Sequence, residues 1–527
     1  MKYHWLLPLV WLCISSAMPV YSKSKWLTDA SSKYVVNGTA IPDIDFDIGE
    51  SYAGLLPVTT ERDETDQLYF WFFPTSTREF GKKKEIVIWL GGGPGCSSLF
   101  GLSRENGPFL WKPGMKKPLK NPWAFNTLTN VVWVDQPVTT GFARGKATAK
   151  NDDEVAKQFL GFWQNFVNVF ADIRRYDIYI ATESYGGMYG PHIAKHFIKN
   201  PFYIFKGLLI YDGIMFDRHI QTNVVVNSFT DMNRDNLPVD EETRQQWHNT
   251  AHDCNFTSYE KKYLQYPPHG PQPTQLPGYE EGAEGFVFPR QACVNFFTTV
   301  FDKITEVNPC ASMYNIMSKC PPQFDPIKGS DAPWFDRQDV KAAINAPMDV
   351  EWVPCRDKVF ANARDESPPS SRDVLPFVID ATQNVIIAHG AMDFYLPMNG
   401  VLLGIQGMTW GYEMGFQKAP EEPFIVPRYN DGPASSSYAH DLPSGTGVIG
   451  TTHHERGLTF VATKLAGHEG SGDSPAGALR HLEKLTGWVN ALSSHAPFTL
   501  PEIRIVPQPP GEVSKGIVPI PCFSSSC

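Results

Sequence analysis

Three residues whose types could together cleave an acyl bond occur in order along the chain: Ser184, Asp393 and His468. A serine hydroxyl is a weak nucleophile until an imidazole takes its proton, and the imidazole needs a carboxylate to hold its tautomer and stabilise its charge. Each residue has surroundings suited to such a role. Ser184 lies in residues 176–200 (YDIYIATESYGGMYGPHIAKHFIKN), where a short β-prone stretch meets a helical pattern. A sharp turn at that junction lifts a hydroxyl out of a sheet and aims the following N–H groups at a developing oxyanion. Asp393 follows the apolar run 385–387, beyond the strand's C-terminal edge, where ligand sites of open α/β sheets lie. His468 follows the β-prone stretch 458–465 and precedes a helical pattern over 476–492. His453 and His454 are rival bases, but neither directly follows a strand end with a glycine before it.

The elements that must position these groups are strands, turns and helices in alternation. Thr182, Glu183, Ser184, Tyr185 and Gly186 keep the second glycine of the GxSxG nucleophile turn and replace the first with a β-branched threonine. The expected fold is therefore α/β, an α/β-hydrolase with a central, mostly parallel sheet flanked by helices and an inserted cap region. At 527 residues, with the motifs spread over most of the chain, one large domain carrying an insertion is expected. Its formal net charge of -10 argues against a nucleic-acid partner. Lys2, an apolar core over 6–13 too short to span a bilayer, and small Ala17 or Ser22 read as a signal peptide over 1–22. No later segment is long and apolar enough for a membrane helix. The expected division is core over 23–216 and 332–498, a Pro-, Gly- and aromatic-rich insertion over 217–331, and a Pro- and Ser-rich tail over 499–527. Residues 368–371 and 433–437 read as loops.

Of nine cysteines, Cys13 falls in the leader, which leaves Cys96, Cys254, Cys293, Cys310, Cys320, Cys355, Cys522 and Cys527. An even set in an exported chain suggests disulfides, and the lack of CxxC pairs argues against zinc. The four cysteines of the insertion are expected to form nested bridges, Cys254–Cys320 and Cys293–Cys310. Sequons at Asn37 and Asn255 suit glycosylation of an exported protein.

Seven blocks in one order carry a family resemblance. They are WFFP (71–74), IVIWLGGGPGCSS (86–98), ENGPF (105–109), NVVWVDQP (130–137), TESYGG (182–187), AMDF (391–394), and AGH with DSP (466–475). The chain resembles the serine carboxypeptidases, in particular the carboxypeptidase Y-like secreted fungal type. The resemblance implies release of C-terminal amino acids from peptides and proteins, with no cofactor and with export as the destination, a vacuole being the alternative. It implies Ser184 as nucleophile, Asp393 as acid and His468 as base, with the N–H groups of Gly93 and Tyr185 as oxyanion hole. It also implies recognition of the substrate carboxylate by the Gly92 N–H and by Glu105 and Glu183, and a Cys96–Cys355 bridge. Two acids forced together cannot both ionise easily, so one keeps a proton to donate to that carboxylate.

Three departures bear on activity. Gly91 stands where the family has an asparagine donor to the carboxylate, a contact worth ~1.5–3 kcal/mol. Glu469, Gly470 and Ser471 replace a Met-Val-Pro-like segment after the histidine, and a carboxylate there raises an imidazole's pKa. Thr139 and Thr140 fall in a stretch that contains glycine in the family. An acyltransferase or esterase on the same scaffold, or a catalytically impaired relative, therefore stays open.

Overall fold

The computed structural model describes residues 24–500 apart from 62, 78–82, 283–285, 321–324, 330–331 and 430–444. The expected leader, the loop expected at 433–437, Cys522, Cys527 and all but the start of the expected tail lie outside the described residues.

Strands that are apolar at every position must be covered on both faces. Eleven strands, of which the central ones are largely apolar, form one sheet: β1 (Val35–Val36), β2 (Ser51–Pro57), β3 (Gln67–Phe73), β4 (Glu85–Leu90), β5 (Asn130–Asp135), β6 (Asp177–Glu183), β7 (Ile204–Tyr211), β8 (Val385–Gly390), β9 (Glu422–Val426), β10 (Gly447–Glu455) and β11 (Leu458–Thr463). Their spatial order is β1-β2-β3-β5-β4-β6-β7-β8-β11-β10-β9. The central run from β5 to β11 is parallel, and the strands outside it pair antiparallel. Alternation on β4 shows how the layers form. Ile86, Ile88 and Leu90 face one core, and Val87 and Trp89 face the other.

On the first face lie α1 (Asp152–Val169) and α2 (Gly186–Lys199), contributing Phe159, Phe162, Phe166, Ile193 and Phe197. Asn151 caps α1 by accepting the Glu154 N–H, and Asp152, Asp153 and Glu154 fill its first turn, the end that favours negative charge. Between β7 and β8 the cap carries α3 (Glu241–Asp253), α4 (Phe256–Tyr263) and α5 (Phe296–Val307). Its own small core of Phe229, Trp247, Phe256 and Phe296 joins the hydrolase half through Phe394 and Leu403. Then follow α6 (Val374–Thr382), α7 (Met398–Gly407) and α8 (Pro475–Leu485). The helix expected over 476–492 stops at Leu485 because Gly487, at φ +74°, takes a left-handed conformation two residues later.

Two expectations about the cap need correction. Cys254–Cys320 and Cys293–Cys310 do not form; Cys254 pairs with Cys293 and Cys310 with Cys320, with Cα–Cα distances of 5.6 and 4.4 Å. Folding puts Cys254, at the end of α3, against the short helix Gln291–Val294, and turns the chain back between Cys310 and Cys320. Cys96–Cys355 forms as the resemblance implies, Cα–Cα 3.9 Å. Asn37 and Asn255 are both exposed. Among the described residues no helix is long and apolar enough to cross a membrane.

Candidate functional site

Ser184 occupies the turn between β6 and α2 at φ +56°, a left-handed conformation that a non-glycine residue adopts only where its surroundings enforce it. The enforcement is visible in two backbone bonds: the Ser184 N–H donates to the Tyr211 carbonyl and the Ile214 N–H to the Ser184 carbonyl, each at 2.9 Å. The threonine that replaces the motif's first glycine is accommodated by a specific partner. Thr182 Oγ1 donates to the Leu90 carbonyl at 2.9 Å, and a Cβ added to Gly186 would lie 1.6 Å from that same oxygen. Threonine at 182 therefore makes glycine at 186 obligatory.

Asp393 and His468 meet from separate loops. His468 Nδ1 bonds Asp393 Oδ2 at 2.7 Å, and both side chains are buried. Burial works against charge on the imidazole, but the Asp393 carboxylate outweighs it through charge and hydrogen bond, with Glu469 and Glu105 adding to it. His468 is thus held above the ordinary imidazole pKa, as Glu469 led us to expect. Beneath Asp393 lie Asp212 and His389, also buried, the one set among the described residues with metal-ligand proximity. Part of the set is already hydrogen-bonded, while Asp212 Oδ2 and His389 Nδ1 have no partner among the described residues. His389 Nε2 bonds the Leu396 carbonyl at 2.6 Å, and the Asp393 oxygens serve His468 and the Leu396 N–H. Burial first, and the Asp393 charge second, push Asp212 well above the usual carboxylate range.

The glycine-rich loop after β4 approaches Ser184 more closely than a side chain there would allow. A Cβ at Gly92 would lie 2.5 Å from Ser184 Cβ and 3.1 Å from the Tyr185 nitrogen. Gly93, at φ +115°, takes in the same loop a left-handed turn that glycine adopts without strain. Cys96–Cys355 anchors this loop, reinforced by Ser97 N–H to Pro354 and Arg356 N–H to Gly95, each at 2.9 Å. Gly91 faces backbone, with an added Cβ 3.1 Å from the Cys96 carbonyl oxygen. Thr139, one of the departures, sits at φ +85°, where glycine is the strain-free choice.

Glu105 and Glu183 come together beside Ser184. Burial and then the Glu469 charge push Glu105 up to about 7, against hydrogen bonds from Ser471 and Glu183. Burial, followed by the charges of Glu105 and Glu469, holds Glu183 well above the usual carboxylate range. Ser471 Oγ donates to Glu105 Oε2 at 2.5 Å, and Asn106 Nδ2 donates to Ser471 Oγ at 3.2 Å. The pair therefore retains a proton near neutrality, with Glu183 as donor to Glu105.

The cap laces together the loops that carry Asp393 and His468. The Tyr314 carbonyl accepts the His468 N–H at 2.7 Å, and the Met313 carbonyl accepts from Phe394 and Tyr395. The Tyr314 ring lies 5.2 Å from the His468 ring. Asn106 lies within a family block and Ser471 among the departures, yet the sequence reading missed that both join the surroundings of Glu105, and it missed Tyr314 altogether, because these contacts link distant segments. The rival bases are occupied elsewhere on β10, His453 with Glu455 and His454 with Thr459.

Comparison with known proteins agrees with this geometry. The family described as serine carboxypeptidase matches residues 42–487. A protein named "Probable serine carboxypeptidase" from Arthroderma benhamiae is 40% identical over 505 residues, covering 91% of each chain. Serine-type carboxypeptidase F of Aspergillus niger is 34% identical over 490 residues, covering 88% of each. The crystal structure of a prohormone-processing carboxypeptidase from Saccharomyces cerevisiae superposes with a TM-score of 0.66 at 22% identity, covering 87% of this chain and 96% of that one, which establishes the α/β-hydrolase fold. On the family match and the similarity to these relatives along nearly their whole length, the chain belongs to the serine carboxypeptidase family.

Proposed function

We propose that this protein is an exported serine-type carboxypeptidase that binds the free C-terminus of a peptide or protein and releases its last residue through an acyl-enzyme. Residues 23–216 and 332–498 form the hydrolase core in this reading, and 217–331 form the cap. His468, held by Asp393, takes the proton of Ser184 as its oxygen attacks the scissile carbonyl. The N–H groups of Gly93 and Tyr185 receive the oxyanion. His468 returns the proton to the departing amine, and water then repeats the sequence to free the acid. The observation that carries the exopeptidase reading is the Glu105–Glu183 pair next to the nucleophile, which together with the Gly92 N–H offers protons to a carboxylate. Disulfides and exposed sequons support export.

Incubation of a peptide with the wild-type enzyme and with Ser184→Ala, followed by mass spectrometry, tests this reading. Stepwise loss of C-terminal residues by the wild type alone is expected; equal release by the variant would overturn it. Gly91 favours a second reading, an esterase or acyltransferase with weakened carboxylate recognition, which requires a C-terminally amidated peptide or simple ester to be turned over as well as the free acid.

A further inference from the structure

On the other side of Ser184 from the glutamates, Tyr185 is gripped by its side chain. Its hydroxyl donates to Asp365 Oδ2 at 2.7 Å, and its ring packs on Tyr189 and Phe360. Behind Asp365 lies Asp152, the first residue of α1, fully buried. Its carboxyl faces Asp365, Tyr185 and Ser367 in a pocket closed to solvent. A carboxylate buried this completely beside a second acid is strongly disfavoured as an ion. Burial and then the Asp365 charge accordingly hold Asp152 well above the usual carboxylate range, while Asp365 Oδ2 accepts the Tyr185 hydroxyl. Ser367 Oγ, accepting the Asp152 N–H at 2.8 Å, ties the Asp365 loop to the start of α1.

The neighbouring titratable groups do not relieve this pair. On α1, Asp153 is turned to Lys157 and His196, and Glu154 to the Lys150 N–H. On α2, the tyrosines 185 and 189 are pushed up by burial first, and His192 is pushed down by burial. His192 feels Asp153, Asp365, Asp373 and Lys195, and neither of its ring nitrogens has a partner among the described residues. Glu366, on the Asp365 loop, binds the Lys150 carbonyl through its N–H.

We propose that Asp365, backed by Asp152, is a positioning pair for the acyl-transfer step: it fixes Tyr185 by its hydroxyl so that the Tyr185 N–H stays aimed at the oxyanion. This rests on the serine-hydrolase reading above. Misplacing a catalytic group from outside the reacting atoms costs up to about a hundredfold. The test uses an N-blocked amino-acid ester, whose lack of a free carboxylate leaves the glutamate pair out of the measurement. Wild type must turn over and Ser184→Ala must not, which checks the underlying reading separately. Given that, Tyr185→Phe and Asp365→Ala are expected to lower kcat about tenfold or more with KM within about twofold. Asp365→Asn, which keeps an acceptor oxygen, is expected to restore most of kcat. Asp152→Asn cannot ionise and is expected to carry the alkaline limb of kcat to higher pH. Wild-type kcat in both Tyr185→Phe and Asp365→Ala, or an unmoved alkaline limb in Asp152→Asn, would overturn the proposal. Tyr185→Phe removes a single oxygen, so it keeps the test decisive if Asp365→Ala fails to fold.

Discussion

Glu183 precedes the nucleophile and Tyr185 follows it, and each leans on an acid from a distant part of the chain. Glu183 meets Glu105 from the segment after the glycine-rich loop, and Tyr185 meets Asp365, with Asp152 behind it. Both clusters crowd two carboxyls into a site short of water, and in both one member keeps its proton. They differ in access. Glu183 retains a partly exposed edge, whereas Asp152 is sealed from solvent. The comparison teaches that the same device, a proton shared between two acids, can serve recognition where a ligand can reach it and positioning where none can.

The strongest way to break the comparison is to remove what both sides flank. Ser184→Ala is expected to lower kcat on the order of 10⁶-fold with the fold intact, measured by peptide hydrolysis alongside near-ultraviolet circular dichroism. Next in size, Glu105→Ala and Glu183→Ala should each raise KM for free-acid peptides roughly tenfold to a hundredfold while changing ester hydrolysis little, whereas Asp365→Ala should lower kcat on both substrates alike. An equal loss on both substrates would place the glutamates in the chemistry rather than in recognition.

Stability should report the shared protons directly. Glu105, pushed up to about 7, together with Glu183 and Asp152, binds protons in the native state that the unfolded chain releases above the ordinary carboxylate range. The Glu105 contribution is fully present below that range and is lost as pH rises through about 7, and those of Glu183 and Asp152 are lost at a pH well above the usual carboxylate range. Glu105 alone accounts for about 3 kcal/mol. The thermal midpoint should therefore fall between about pH 5 and 8; a rise would contradict the assignment. Thr139→Gly, which relieves a left-handed threonine, should raise stability by about 1 kcal/mol in urea unfolding. The smallest effect expected is from Glu469→Gln, which removes a charge that holds His468 up and should move the acid limb of kcat/KM to lower pH.

How far the sequence revealed this site depended on where each signal is stored. Ser184, Asp393 and His468 stand at strand ends, and β6, β8 and β11 could be read from runs of apolar, β-prone residues. The acids Glu105 and Glu183 were legible only through the family's motifs, since nothing local distinguishes them from a loop charge and a helix-terminal charge. Cap disulfides resisted because pairing depends on which loops folding brings together: Cys254 meets Cys293 through the end of α3, a contact without a sequence signature. Asp365 and the contact of Ser471 with Glu105 were invisible for the same reason. Thr182 read as a defect in the nucleophile motif until the Leu90 carbonyl supplied its partner.

The central claim is that Glu105 and Glu183 recognise a free carboxylate by the proton they share. Its most direct test is the ratio of kcat/KM for an N-blocked dipeptide to that for its C-terminal amide, followed from about pH 4 to 8, because the titration of His468 affects both substrates and cancels. The account predicts a ratio well above one in acid that falls as rising pH strips the proton from the pair. A ratio near one at every pH would contradict it and would move the esterase or acyltransferase reading to the front.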